Sequence, residues 1–220
     1  MRRIAAGLIV IMSVLLVSCK GKTGNTITVG SDKLDNTQSY FSESMHTVAR
    51  CDTGYYYLDK CSASDHNLMF YDDKSEESIV LCNKPQCGHD GEECMAYISG
   101  SEFKSELYYY NSYIYMISSK GNLVQISADG TQRTDLGSIC VLSGQDSVSM
   151  CFNDGYAYVS QEITGDIEGN VTVRLYRFNL DTGSSDKIYE ETGYGIGINS
   201  LKTYGSDTFF LKTSVSKDDK

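Results

Sequence analysis

The run Asp154–Gly155–Tyr156–Ala157–Tyr158–Val159 is followed, after a turn-rich insert, by Arg174–Leu175–Tyr176–Arg177–Phe178–Asn179–Leu180–Asp181–Thr182–Gly183. Together they read as a strand, a loop, a second strand and a closing turn. Successive side chains of a strand point to opposite faces, so Tyr156 and Tyr158 share one face while Ala157 and Val159 share the other. Asp154–Gly155 and Asp181–Thr182–Gly183 supply the turns, since glycine accepts positive φ and aspartate bonds its own backbone. Large apolar groups fall on both faces. A sheet with one wet face would alternate apolar with polar, so the pattern predicts sheets stacked on sheets at both sides.

The same unit recurs on either side of this stretch. Upstream lie Asn-Ser-Tyr-Ile-Tyr-Met at 111–116 with a partner run at 123–130, and Thr-Gly-Tyr-Tyr-Tyr-Leu at 53–58 with a partner at 68–73; downstream, Ser-Asp-Thr-Phe-Phe-Leu occupies 206–211. Aligned on Tyr55, Tyr113, Tyr156 and Thr208, the copies stand 58, 43 and 52 residues apart, about 51 on average. Further short apolar runs precede the units (107–110, 148–152, 201–204) and trail them (79–81, 134–136, 187–189). Four strands per repeat is the make-up of a propeller blade rather than of a solenoid coil. The expected fold is therefore all-β and β-propeller-like, with three complete four-stranded blades at roughly 46–100, 101–145 and 146–195 and a partial fourth at 196–220. Rings commonly have four to eight blades, so an incomplete ring, from a chain that is a fragment of a longer one, is expected. The alternatives are a compact four-bladed ring completed by Thr26–Ile27–Thr28–Val29, or an open array that pairs with another protein.

The N-terminus carries an address. Arg2 and Arg3 precede an apolar run from Ile4 to Val17 that ends in Leu16–Val17–Ser18–Cys19. The run is too short to span a bilayer comfortably, and the pattern resembles the bacterial lipoprotein signal, which is cleaved before its cysteine. That resemblance implies lipidation of Cys19, a signal peptide at 1–18, and a membrane-anchored chain facing outside the cytoplasm. Residues 19–45, rich in Gly, Ser, Thr, Asn and Lys, then form a polar tether. Without residues 1–18 the chain carries 17 basic and 29 acidic side chains, a formal charge of −12. Such a chain does not condense on phosphate backbones, which excludes nucleic acid as an expected partner.

Seven further cysteines follow Cys19. Outside the cytoplasm these oxidise unless bound or shielded, and an odd number leaves at least one unpaired. Cys51 with Cys61, and Cys140 with Cys151, are candidate disulfides. The remaining three lie in a Cys-x4-Cys-x-His-x4-Cys array of Cys82, Cys87, His89 and Cys94, with Pro85 and two glycines to turn the chain. Three sulfurs and an imidazole are the ligand set of a closed tetrahedral zinc site, though the spacing matches no standard finger. A disulfide-pinned loop with His89 at the surface is the alternative. Catalysis by Cys87 and His89 is not expected, because nothing nearby supplies an oxyanion site.

The run Leu81–Cys82–Asn83–Lys84–Pro85–Gln86–Cys87–Gly88–His89–Asp90, with Glu93–Cys94–Met95–Ala96–Tyr97 after it, resembles a segment of lipoproteins from clostridial-type anaerobic bacteria. Those proteins carry a Tyr-rich β-propeller domain of uncharacterised function, similar to receptor-type and Tol-Pal-type propellers. The resemblance covers the lipoprotein signal, the cysteine segment and the Tyr-x-Tyr blades, and it implies a longer chain and a reducing source in which thiols and metal persist.

Other motifs are weaker. The insert Gly165–Asp166–Ile167–Glu168–Gly169–Asn170 lacks the spacing of a calcium loop and reads as a solvated hairpin. Gly193–Tyr194–Gly195–Ile196–Gly197 lacks the strand-to-helix setting of a dinucleotide site and reads as a link between blades. His46 and His66 read as surface residues. The Tyr-x-Tyr stripes could stack on sugars, but repetition at one blade position favours packing between blades. No catalytic residues emerge. The expectation is a non-enzymatic binding or scaffold module for a protein, peptide or glycan, with an extracytoplasmic hydrolase or lyase on a propeller scaffold as the alternative.

Overall fold

The computed structural model describes residues 48–102, 106–165 and 169–215. The signal peptide, Cys19, the tether with Thr26–Val29, His46, and residues 166–168 of the insert lie outside the described residues. The described chain is entirely strand, turn and loop. Its first sheet contains β1 (Val48–Cys51), β2 (Gly54–Lys60), β3 (His66–Asp72), β4 (Glu77–Val80) and the short β5 (Tyr97–Ile98). The second contains β6 (Tyr108–Tyr110), β7 (Tyr113–Ile117), β8 (Asn122–Ser127) and β9 (Arg133–Ser138). The third contains β10 (Ser147–Asn153), β11 (Tyr156–Thr164), β12 (Asn170–Asn179) and β13 (Ser185–Tyr194). The fourth is the hairpin β14 (Gly197–Tyr204) and β15 (Asp207–Thr213). Every pairing is antiparallel between strands consecutive in the chain, except that β3 also pairs with β5.

These are propeller-like blades. Each sheet is an up-and-down meander, and the leading strands of successive sheets, β1, β6, β10 and β14, contact one another in turn. Three apolar clusters fill the spaces between sheets. The first sets Tyr56 and Leu68 against Ile114, Met116 and Ile126; the second sets Tyr115, Ile117 and Leu123 against Phe152, Ala157 and Val159; the third sets Cys151, Val173 and Leu175 against Ile198 and Leu201. Along β7, Ile114 and Met116 enter the first cluster and Tyr115 and Ile117 the second, so strand alternation buries both faces. The sheets do not close into a ring among the described residues, and the fourth exposes Tyr204, Phe209, Phe210 and Leu211.

Tight turns join the first two strands of each sheet. Asn111 and Ser112 have φ of 47° and 64°, and Asp154 and Gly155 have 47° and 77°. Consecutive positive values belong to the turn whose twist matches that of a hairpin, which is why Asn, Asp and Gly stand there. The turns also reveal a register that the sequence alignment misplaced. The hairpin pairs are Cys51 with Gly54, Tyr110 with Tyr113, Asn153 with Tyr156, and Tyr204 with Asp207. Gly54 and Asp207, rather than Tyr55 and Thr208, are thus the equivalents of Tyr113 and Tyr156. A one-residue slip moves a side chain to the other face of its sheet. Tyr56 therefore faces the next sheet, whereas Tyr55 stacks on Tyr71 at 4.8 Å on the far side of the first sheet.

Hydrogen bonds cross the same interfaces. Tyr56 Oη donates to the Ala128 carbonyl at 3.1 Å. Tyr108 Oη accepts the Met150 N–H at 2.9 Å and Tyr110 Oη accepts the Gly155 N–H at 3.2 Å. Asn153 Nδ2 donates to the Asp207 carbonyl at 3.2 Å. Tyr56, Tyr108 and Tyr110 so each contribute a ring to an apolar layer and a hydroxyl to a backbone group of the next sheet. His66, expected at the surface, is half-buried on β3 opposite Lys60 and Ile98.

Candidate metal centre

The cysteine array interrupts the outer edge of the first sheet. β4 covers one half of β3, pairing through Met69–Asp72, and β5 covers the other through His66 and Asn67. Between them the chain leaves the edge, makes the loop that carries all four candidate ligands, and returns to continue the same edge. Leu68 closes the neck: it accepts the Leu81 N–H at 2.8 Å and donates its own to the Ala96 carbonyl at 2.8 Å. The loop is an insertion into one strand, pinned at a fully buried residue.

Inside the loop the backbone bends through left-handed residues at Gln86 (φ 57°) and His89 (φ 55°). These bends fold it back on itself, so that Cys82, Cys87, His89 and Cys94 bring one ligand atom each to within 4.8 Å of the others. His89 Nδ1 lies 3.3 Å from Cys94 Sγ. Ligands of one tetrahedral zinc, at about 2.0–2.3 Å, stand about 3.3–3.8 Å apart. Side-chain rotation of about 1 Å therefore closes the set on an ion. Cys94 is buried, and the other three are half-buried.

The sulfurs are electrostatically distinct. Burial raises the Cys82 thiol pKa, but hydrogen bonds from the Lys84 and Met95 backbone and from Cys94 and Cys87 outweigh it and leave the group more acidic than an ordinary thiol. Cys94 moves the other way, to about 11, first through burial and then through the neighbouring sulfurs, against a bond from the Ala96 N–H. Backbone N–H groups aimed at sulfur stabilise thiolate, the form that binds metal. The four residues fit zinc by donor chemistry and by separation.

The loop is also held from the second sheet. The Asn83 N–H reaches the Gly130 carbonyl at 3.4 Å. Gly130, with φ of 69°, sits so close that a Cβ there would meet the Leu81 carbonyl oxygen at 2.6 Å.

The other cysteines do not pair as expected. All seven described cysteines are free thiols. Cys51 lies beside Gly54 at one end of β2 and Cys61 follows Lys60 at the other, roughly 20 Å away along a seven-residue strand. A disulfide needs Cα atoms within about 7 Å. Cys140 packs between the second and third sheets and Cys151 between the third and fourth, so the body of the third sheet separates them.

A polar cleft of about 520 Å³ adjoins the loop, lying between the first two sheets. Nothing in the sequence signalled it, because its walls come from separate hairpins.

No known protein family matches this chain, and no curated protein does. Among solved structures, a quinohemoprotein alcohol dehydrogenase from Comamonas testosteroni matches 73% of this chain at 15% identity and a TM-score of 0.38. The match spans 22% of that enzyme's length. A likeness this slight says nothing of the chemistry of the present chain.

Proposed function

We propose that this chain is a binding or scaffold module, anchored through a lipid on Cys19 to the outer face of a bacterial membrane, with its first blade secured by a structural zinc ion. The observation that carries the metal reading is the convergence of Cys82, Cys87, His89 and Cys94 within 4.8 Å on one loop. Four protein ligands complete a tetrahedral shell and leave no position open for substrate, which is the arrangement of structural rather than catalytic zinc. The acidic residues of the hairpin turns serve the backbone: Asp72 accepts the N–H groups of Lys74 and Ser75, and Asp129 that of Thr131. The blade-and-loop architecture then serves recognition of a protein, peptide or glycan by surfaces between blades.

The decisive measurement is elemental analysis of chain purified under reducing conditions, paired with a thiol count before and after chelation. One zinc per chain, with three thiols that become reactive when the metal is withdrawn, is the expected result. Metal-free protein, with those thiols freely reactive or joined in disulfides, overturns it.

A further inference from the structure

The cleft beside the metal loop has the chemistry of a ligand site that the cysteine array does not account for. Its base is formed by Met116 and Val124, buried on the face of the second sheet turned towards the first, and the half-buried Tyr97 lines it beside them. Its walls are hydroxylated. Ser99 and Ser101 come from the chain after β5, and Ser118 and Ser119 from the β7–β8 hairpin. Ser99 and Ser101 share one hydrogen bond at 3.0 Å, and Ser118 Oγ accepts the Asn122 N–H at 3.1 Å, so each pair retains capacity to donate or accept.

Two of the charged groups, Arg133 and Glu102, pair with each other, and Asp135 is held by neutral donors. Arg133 bridges the two sheets, donating to the Tyr97 carbonyl at 2.7 Å and to Glu102 at 3.0 Å. Asp135 accepts Asn122 Nδ2 at 2.7 Å and the Gly137 N–H at 2.9 Å. Three acids (Glu92, Glu102, Asp135) stand against Lys120 and Arg133, which disfavours an anionic ligand. Glu92 belongs to the metal loop, so one wall is placed by it.

We propose that this cleft binds a neutral, hydroxyl-rich ligand, namely a short oligosaccharide. A sugar ring presents C–H groups on its faces and hydroxyls around its rim, matching the half-buried Tyr97 beside serine walls. The volume lies within the range of small-ligand sites. The inference rests on the reading of the chain as a binding module and assigns that module a site.

The test titrates maltopentaose, cellopentaose and the pentamer of N-acetylglucosamine into the full chain by calorimetry, with pentalysine as the charged comparison. At least one neutral sugar binds, and the double variant Ser99→Ala/Ser118→Ala, folded by circular dichroism, binds it about tenfold more weakly, as the loss of two neutral hydrogen bonds implies. Tyr97→Ala, which leaves the serine hydroxyls in place and removes a half-buried ring, also weakens it. Binding of none of the sugars, binding of pentalysine alone, or sugar binding untouched by both variants overturns the proposal. Zinc content is read on the same samples, so an empty cleft on zinc-loaded protein refutes this site without refuting the metal centre.

Discussion

Tyr56 and Tyr115 occupy the same station in successive sheets, each two residues beyond the hairpin pair, and each presents its ring to the sheet that follows. Tyr56 stacks with Tyr109 at 5.7 Å and Tyr115 packs on Phe152 at 4.5 Å. Truncating Tyr56 to alanine removes a ring that is 4% exposed and should cost about 3–5 kcal/mol. Tyr55→Ala, one residue away on the other face, should cost about 1 kcal/mol or less. Tyr56→Phe keeps the ring and loses the hydroxyl with its bond to Ala128, at about 1 kcal/mol. Urea unfolding of the three variants tests the register directly: equal costs at positions 55 and 56 would show it to be wrong.

Gly130 lies outside the cysteine loop but touches its neck. A methyl group at position 130 must displace the Leu81 backbone, and the positive φ adds strain. Gly130→Ala should therefore both destabilise the chain and weaken zinc retention in competition with a chelator. Cys61→Ser, at an exposed thiol outside the ligand set, should do neither. Zinc affinity unchanged by Gly130→Ala would mean that the second sheet does not hold the site.

Metal withdrawal should lower the unfolding temperature, since an ion bound only by the folded chain stabilises by about 2.7 kcal/mol at a hundredfold excess over its dissociation constant. His89→Ala should abolish most of that response, leaving a chain whose stability no longer depends on added zinc. Thermal scans with and without zinc read the difference. A parallel zinc response in the wild type and the variant would remove His89 from the ligand set.

Burial lifts the Cys151 thiol pKa to about 12, and burial likewise lifts Tyr115 to about 12. Folding thus favours their neutral forms. This contribution is complete below the unfolded values, near pH 9 and 10, and is lost as pH rises towards 12. Stability should fall steeply across that alkaline window, and native Cys151 should resist alkylation while Cys61 reacts at once. Mass-resolved labelling at pH 8 checks the second point; rapid modification of Cys151 would show that the third and fourth sheets are not packed as described.

At the acid end, Asp65 is held at about 2, first by the Ser62 hydroxyl and then by the Gly100 N–H and Tyr97. Its depressed pKa gives stability that is present above the unfolded value near 3.8 and lost as pH falls towards 2. Asp65→Asn should flatten the acid limb of the stability curve between those limits, as monitored by circular dichroism. An unchanged limb would locate acid sensitivity elsewhere.

Chain order alone determined the all-β class, the four-strand repeat, and the membership of Cys82, Cys87, His89 and Cys94 in one cluster, because these follow from local periodicity, turn residues and spacing within a single loop. Tertiary structure decided what depends on partners distant in the chain. The face occupied by Tyr56 was set by hairpin geometry that a run of three consecutive tyrosines, Tyr55–Tyr57, leaves ambiguous by one residue. The separation of Cys51 from Cys61, and of Cys140 from Cys151, was set by strand length and by which side of a sheet each thiol enters, neither of which sequence distance conveys. The cleft between the first two sheets exists only where their faces meet, since its floor and walls are contributed by segments that share no local pattern.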